Sequence, residues 1–145
     1  MAQKAKSEEE LRKLSMEMRY LEQTADALQQ RISMVNAALT DISYANMTLD
    51  GIEKEKENAE LLVPIGGSSY VKVKLADSNK VIIGMGSGVS IEKTLQEAKI
   101  ALKERLDELE KTLNSAQQQF TQVADRLNSG RSRLETLLGA REGNP

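Results

Sequence analysis

The sequence predicts an α+β protein, mainly α, in which two β-hairpins are inserted between the two helices of one long antiparallel coiled coil. Apolar residues recur in steps of three and four both before residue 56 and after residue 91, which is the spacing of a coiled coil. Residues 61–90 instead alternate short β-branched runs with glycine-rich turns, which is typical of hairpins. We divide this single unit of 145 residues into a first helix at 8–56, hairpins at 61–90, a second helix at 91–138 and a disordered tail at 139–145.

The first helix is predicted to begin at Ser7, because Ser7 and Glu10 have the spacing of a capping box. Two apolar rows form its seam: Leu11, Met18, Ala25, Ile32 and Leu39, and Leu14, Leu21, Leu28, Val35, Ile42 and Leu49. Asn46 replaces an apolar residue there, where it could fix the register or lie where the coil splays apart. We expect the helix to end between Asp50 and Asn58, where the pattern weakens.

Four short strands are predicted in the central segment. Val71, Val73 and Leu75 make one apolar face, whereas the run at 81–83 is apolar on both faces. So small a sheet cannot offset the backbone entropy of ordering its residues, on the order of 30–60 kcal/mol, and its open edges would invite aggregation. Strands from other chains that close a multi-subunit β-barrel would remove both problems, so we expect an obligate oligomer.

The second helix is predicted to be capped by Ser90, with Glu92 in its first turn. Two steps of four in succession mark a stutter between Leu102 and Leu106, and Gly130 leaves a hole that is expected to loosen the helix. Because the two helical segments are nearly equal in length, an antiparallel hairpin is the simplest arrangement. The seam contains Ile91, Leu95, Ala98, Leu102, Leu106, Leu109, Leu113, Ala116, Phe120, Val123, Leu127, Gly130, Leu134 and Leu137.

The methionines fall into two groups. We expect Met34 and Met47 to fill the interior of the coil, because methionine packs readily into irregular gaps. Met16 and Met18 lie near the free ends of the predicted hairpin, so partial exposure is expected there, and the same applies to Leu138.

Composition weighs against several classes of function. The chain has no histidine and no cysteine, which removes the side chains most often used for proton transfer, nucleophilic attack and metal binding. A net charge of -2 without a basic stripe argues against nucleic-acid binding. The glycine-rich turn at 84–88 matches neither phosphate-binding pattern, and we find neither a secretory signal nor a membrane span. We therefore expect a cytoplasmic protein that is not an enzyme and needs no cofactor or metal.

The central segment closely resembles the prefoldin subunits of the alpha class. Residues 61–75 read LLVPIGGSSYVKVKL and residues 80–98 read KVIIGMGSGVSIEKTLQEA, in the order of that family. The resemblance extends from Leu11 to Leu138, and two hairpins instead of one point to the alpha class over the beta class. The cysteine-free pattern resembles archaeal members.

This resemblance implies a hexamer of two alpha and four beta subunits, whose β-barrel body carries six coiled coils. It also implies that unfolded client proteins are held at the coil tips without ATP and passed to a group II chaperonin. Assembly would then rest on Val71, Val73, Leu75, Val81, Ile82 and Ile83. Client contact would rest on Leu11, Leu14, Met18, Leu134, Leu137 and Leu138. The alternative is a purely structural coiled-coil oligomerisation protein, which would assemble without acting on aggregating clients.

Overall fold

The structure, a computed structural model, describes residues 2–142, without the side chains at 3, 4, 141 and 142. Its elements are α1 (Ala2–Glu53), β1 (Glu60–Gly66), β2 (Ser69–Lys74), β3 (Lys80–Gly86), β4 (Val89–Thr94) and α2 (Leu95–Glu142). The predicted fold class, two long helices with two antiparallel hairpins between them, is confirmed. The chain forms two compact units, which we call the coil unit (Met1–Ala37 and Lys111–Pro145) and the hairpin unit (Ala38–Glu110).

The outer ends of both helices extend beyond the predicted bounds. The start predicted at Ser7 is wrong, since α1 begins at Ala2; the alanine and lysine residues ahead of the capping box are good helix formers. The predicted disorder of 139–142 is also wrong, because α2 continues through Gly139 to Glu142, while positions 143–145 lie outside the described residues. The end of α1 at Glu53 lies in the predicted interval.

In the coil unit, α1 and α2 run antiparallel. The start of α1 lies beside the end of α2, since a carboxylate oxygen of Glu10 is 3.8 Å from the guanidinium of Arg133. The core consists of the buried Met18, Leu21 and Leu127, with the half-buried Leu14, Ala25 and Val123 packed against them. All six are predicted seam residues, so the steps of three and four identified the packed face correctly in this unit.

In the hairpin unit, the second hairpin packs on both helices. The buried core consists of Leu49 from α1, Ile83 from β3, and Leu95, Ala98 and Leu102 from α2. Ile42, Ala45, Ile52 and Val81 pack partly buried against it. Ala98 is 0% exposed, so this core is closed to water at its methyl group.

Helix α2 begins later than predicted, so the predicted cap at Ser90 is wrong. Ser90 lies in β4 opposite Gly84, and Ile91 is a strand residue, 43% exposed, that does not join the helical seam. Thr94 caps the helix instead: its Oγ1 accepts a hydrogen bond from the backbone N–H of Glu97 at 3.2 Å.

The two hairpins share one backbone geometry. The loop residues at 67–68 and 87–88 all have φ between 54° and 77°, as a two-residue type I′ turn requires. In each hairpin the register shifts just before the loop, at Gly66 and Gly86, whose φ angles are 101° and 94°. The glycine-rich segment at 84–88 therefore forms a bulge and a turn, and backbone conformation alone explains Gly86 and Gly88.

Candidate assembly and client-binding surfaces

The first hairpin exposes an apolar face. Val63 lies opposite Val71 and Leu61 lies opposite Val73, and directly opposed residues share one face of an antiparallel pair. Val63 is 43% and Val71 44% exposed, whereas Leu61 and Val73 are half-buried. The side chains nearest the turn are thus only partly covered within the described chain.

The opposite face of this hairpin is also partly apolar. Leu62, paired with Lys72, is 62% exposed, and Tyr70, paired with Pro64, is 60% exposed. At the bulge, Ile65 is 63% exposed. Exposed apolar groups that cluster in this way mark surfaces that bind other proteins. Sequence reasoning did not single out these residues, although the cross-strand register could have identified Val63 as the partner of Val71.

In the second hairpin, β3 divides its apolar residues between two environments. Ile83 is 7% exposed and belongs to the core, and Val81 packs against that core. Ile82, on the other face, is 74% exposed, and Met85 at the bulge is 47% exposed. The helices of the chain itself therefore cover one face, and the other face is open.

The structure thus distributes the six predicted assembly residues over three environments. Val71 and Ile82 are exposed, Val73, Leu75 and Val81 are half-buried, and Ile83 is buried in its own chain. Each two-stranded sheet also leaves the outer edge of both strands unpaired within residues 2–142. Open strand edges beside apolar side chains favour pairing with further strands.

The predicted client residues lie at the seam of the coil unit. Met18 is 8% exposed, so the expected partial exposure of this residue is wrong. Leu138 is 40% exposed. Leu11, Leu14, Leu134 and Leu137 are half-buried, and Leu11 and Leu137 line one crevice together with Ser7 and Glu8. The structure therefore brings Leu11 to Leu137 and Leu14 to Met18.

A groove of about 380 Å³ opens beside Met18. Its apolar floor contains Leu14, Met18 and Leu21, while both signs of charge lie around it. The charged and polar lining consists of Glu17, Asp125, Arg126, Ser129 and Arg133. The groove therefore gives access to apolar seam atoms of the coil unit.

Met18 occupies the space that Gly130 leaves. A Cβ atom added at Gly130 would lie 2.6 Å from the sulfur of Met18 and 3.4 Å from its Cγ. Helix α2 continues through this position, so the predicted loosening of the helix at Gly130 is not observed. The side chain that Gly130 lacks leaves a hole, and Met18 of the facing helix fills it.

We expect Gly130→Ala and Met18→Ala to be coupled in their effect on stability. Alanine at 130 gains about 1 kcal/mol in helix propensity, but with Met18 present its Cβ displaces the thioether. The substitution should therefore be more favourable by about 0.5–3 kcal/mol in a Met18→Ala background. A double-mutant cycle of urea unfolding measures this difference, and additive effects would show that the two residues do not share the space.

The outward face of α1 carries residues that the sequence placed inside the coil. Met34 is 73% and Met47 68% exposed, so their expected packing in the seam is wrong, while Met16 is 67% exposed as expected. Neither Met34 nor Met47 belongs to the two apolar rows, and on a helix only those rows face the partner. Tyr20 and Tyr44, at 68% and 64% exposure, lie outside the rows as well.

In the hairpin unit, a polar cluster joins the end of α1 to the start of α2. Lys99 donates to the carboxylate of Glu53 and lies 2.9 Å from that of Asp50, and Gln96 donates to Glu53 at 2.9 Å. Hydrogen bonds from Lys99 and then Gln96 lower the pKa of Glu53 from its ordinary 4.5. The hydrogen bonds that Lys99 donates to Glu53 and then to Asp50 raise the pKa of Lys99 from its ordinary 10.5.

We expect the contribution of this cluster to stability to depend on pH. Since the pKa of Glu53 is lowered on folding, its contribution is complete above pH 4.5 and is lost as pH falls through the folded value. Lys99→Met should therefore destabilise the chain slightly at neutral pH, and the difference from the parent chain should vanish in acid. Urea unfolding across the acid range tests this, with Lys103→Met, an exposed lysine on the same helix, as the control.

Neither a metal centre nor a membrane helix is found in the part of the chain that is described. Residues 2–142 contain no cluster of three acidic side chains placed to hold a metal ion. No helix within the same residues is both long and apolar enough to cross a membrane.

Comparison with known proteins agrees with this architecture. The sequence model of the family described as "Prefoldin subunit" matches residues 21–139. The chain is 30% identical to the prefoldin subunit alpha of Methanococcoides burtonii over 93% of this chain and 95% of that one. It is 32% identical to the alpha subunit of Methanosarcina mazei, over 91% and 92% of the two chains.

Solved structures show the same fold. A filamentous PFD from Methanocaldococcus jannaschii superposes with a TM-score of 0.67 at 19% identity, over 79% of this chain and 95% of that one. The prefoldin beta subunit from Thermococcus strain KS-1 superposes with a TM-score of 0.58 at 18% identity, over 88% and 90%. From the family match and the two relatives that are 30% and 32% identical, we conclude that the chain belongs to the prefoldin family, among its alpha subunits.

Proposed function

We propose that this chain is one of two alpha subunits that assemble with four beta subunits into a cytoplasmic hexamer. The hexamer holds unfolded proteins at the ends of its coiled coils without ATP and delivers them to a group II chaperonin. The chain itself carries out no chemical reaction and binds no nucleic acid. The observation that supports this proposal best is the pair of hairpins with open edges and exposed apolar side chains.

Assembly through the hairpins follows from their exposed surface. Val63, Val71 and Ile82 lose contact with water only if further strands or loops cover them, and burial of each such side chain stabilises a complex by about 1.5–3 kcal/mol. A barrel completed by strands of other subunits would also pair the open edges. Since Ile83 and Val81 already pack on the chain's own helices, we assign assembly to the open face.

Client holding is assigned to the last turns of the coil. Leu138 is exposed there, and the groove beside Met18 gives access to Leu14 and Leu21. Apolar surface with a mixed charged rim suits many non-native chains, since it requires no particular sequence. Met18 contributes to the floor of the groove while remaining mostly buried.

The test removes residues 1–20 and 128–145 from this subunit and measures how the complex with beta subunits suppresses aggregation of a denatured client. We expect suppression to fall but not to disappear, because the four beta coils of the proposed complex keep their ends. Native mass spectrometry of the same samples should show unchanged assembly.

Two other outcomes count against the proposal. Suppression that is unaffected by the truncation would show that these ends do not hold clients. If the parent complex assembled but suppressed no aggregation, the chain would be a structural oligomerisation protein, the alternative that the coiled coil also allows.

A further inference from the structure

The outward face of α1 carries a second heptad row within the coil unit. Its residues follow one another in steps of four and three, none is charged, and all are exposed. Met16, Tyr20 and Met34 are 67%, 68% and 73% exposed. We call this set the outer row: Met16, Tyr20, Gln23, Ala27, Gln30, Met34 and Ala37.

This composition is unusual for the solvent side of a coiled coil. The face opposite the packed stripe normally carries charged residues, and this chain has enough of them, at 29% of all residues. Two methionines and a tyrosine occupy that side of α1 instead. The steps of four and three follow from the heptad of the packed seam itself, so the uncharged composition of the row, and not its spacing, distinguishes this face.

Charged residues border the outer row on both sides. Glu17 and Arg31 lie on one side, and Arg12, Arg19 and Asp26 on the other. Suppose that two copies of α1 pack in parallel through the outer row. Each residue on the Arg12 side of one copy then lies next to the residue five positions later on the Glu17 side of the other copy. The charges of the two copies are therefore complementary. Arg12 of each copy would lie next to Glu17 of the other, and Asp26 next to Arg31, so each ion pair would form twice.

We propose that the outer row packs against the outer row of a second copy of this chain, with the two α1 helices parallel and in register. Identical residues then face each other along a two-fold axis, with methionine layers at Met16 and Met34 and an aromatic layer at Tyr20. No like charges meet in this register. The antiparallel register that pairs Glu17 with Arg31 would instead place Asp26 against Asp26.

The contact is weak and reversible, because glutamine and alanine occupy its central layers at Gln23, Ala27 and Gln30. It goes beyond client holding and hairpin assembly, since it uses neither the strands nor the apolar floor of the groove, and shares with the groove only Glu17 of its charged lining. A complex that holds two copies of the chain would thereby gain a way to bring two coils side by side.

The test uses the full chain with Gln30→Cys, because the parent sequence contains no cysteine. In the parallel register the two thiols face each other within reach of a disulfide, so mild oxidation without client should give a covalent dimer. Gln118→Cys, an exposed polar position on α2, is the matched control and should cross-link only at the background rate.

Charge variants in the Gln30→Cys background identify the register. Arg31→Asp should lower the association about tenfold, because two attractive pairs become repulsive. Adding Asp26→Arg should restore it, because the exchanged charges attract again. Two results would overturn the proposal: a cross-link no faster than that of Gln118→Cys, or a cross-link that is insensitive to Arg31→Asp.

Discussion

Replacement of Leu95 by alanine should lower the free energy of unfolding of the chain by about 2–5 kcal/mol. Leu95 is 4% exposed and packs in the hairpin-unit core with Leu49, Ile83 and Leu102. Its loss leaves a cavity at the junction of both helices and β3. Because the backbone N–H of Leu95 still donates to Asn79 at 2.9 Å, the substitution isolates the side chain. Urea unfolding followed by circular dichroism measures the change.

Ile100→Ala on the same helix provides the matched control. Ile100 is 61% exposed, so its truncation removes little packing and should change stability by no more than about 0.5 kcal/mol. Both variants are compared at one protein concentration, since association stabilises the folded chain. Equal losses for the two variants would show that the core around Leu95 does not support the hairpin unit.

Replacement of both Val63 and Val71 by lysine should abolish assembly with beta subunits while the chain remains folded. The two valines face each other across β1 and β2 and are 43% and 44% exposed, so the isolated chain tolerates polar replacements. In a complex, the substitutions replace two apolar groups with two charges that association would remove from water. We expect a loss of about 3 kcal/mol or more, which is over a hundredfold in affinity.

Lys72→Gln on the other face of the same hairpin should leave assembly intact and serves as the control. Size-exclusion chromatography of mixtures with beta subunits separates the outcomes. Normal assembly of the Val63→Lys, Val71→Lys chain would show that this face of the first hairpin is not an interface.

The packed faces of the helices could be predicted from the sequence because they depend on one local rule. Steps of three and four place the apolar rows on one side of a helix whatever the partner is, and Leu21, Leu28 and Val35 are buried accordingly. The same rule, applied strictly, would have placed Met34 and Met47 outside the coil. Their interpretation as packing residues relied on residue type instead of position.

The boundary between β4 and α2 depends on contacts that are distant in sequence. Ser90 has the side chain of a helix cap, but Ile83 pairs with Ile91 and Lys80 pairs with Thr94. The length of β3 therefore requires β4 to continue, and the helix can begin only at Leu95. A capping residue that is recognised from the local sequence gives no information about the length of the partner strand.

The sites differ from the sequence prediction for a similar reason. Ile82 and Ile83 are neighbours in one apolar run, and only the packing of the helices decides that Ile83 is buried and Ile82 is exposed. The space at Gly130 is likewise defined by the register of the facing helix, which brings Met18 to it. In both cases the residue type was informative, and its partner could be found only from the fold.

Native mass spectrometry of the unmodified chain, mixed with a beta-class prefoldin subunit, tests the central proposal most directly. The proposed function requires one dominant complex whose mass corresponds to two copies of this chain and four of the beta subunit. Loss of that complex in the Val63→Lys, Val71→Lys chain would locate its assembly on the first hairpin. A chain that remained free of the beta subunit at every mixing ratio would contradict the account.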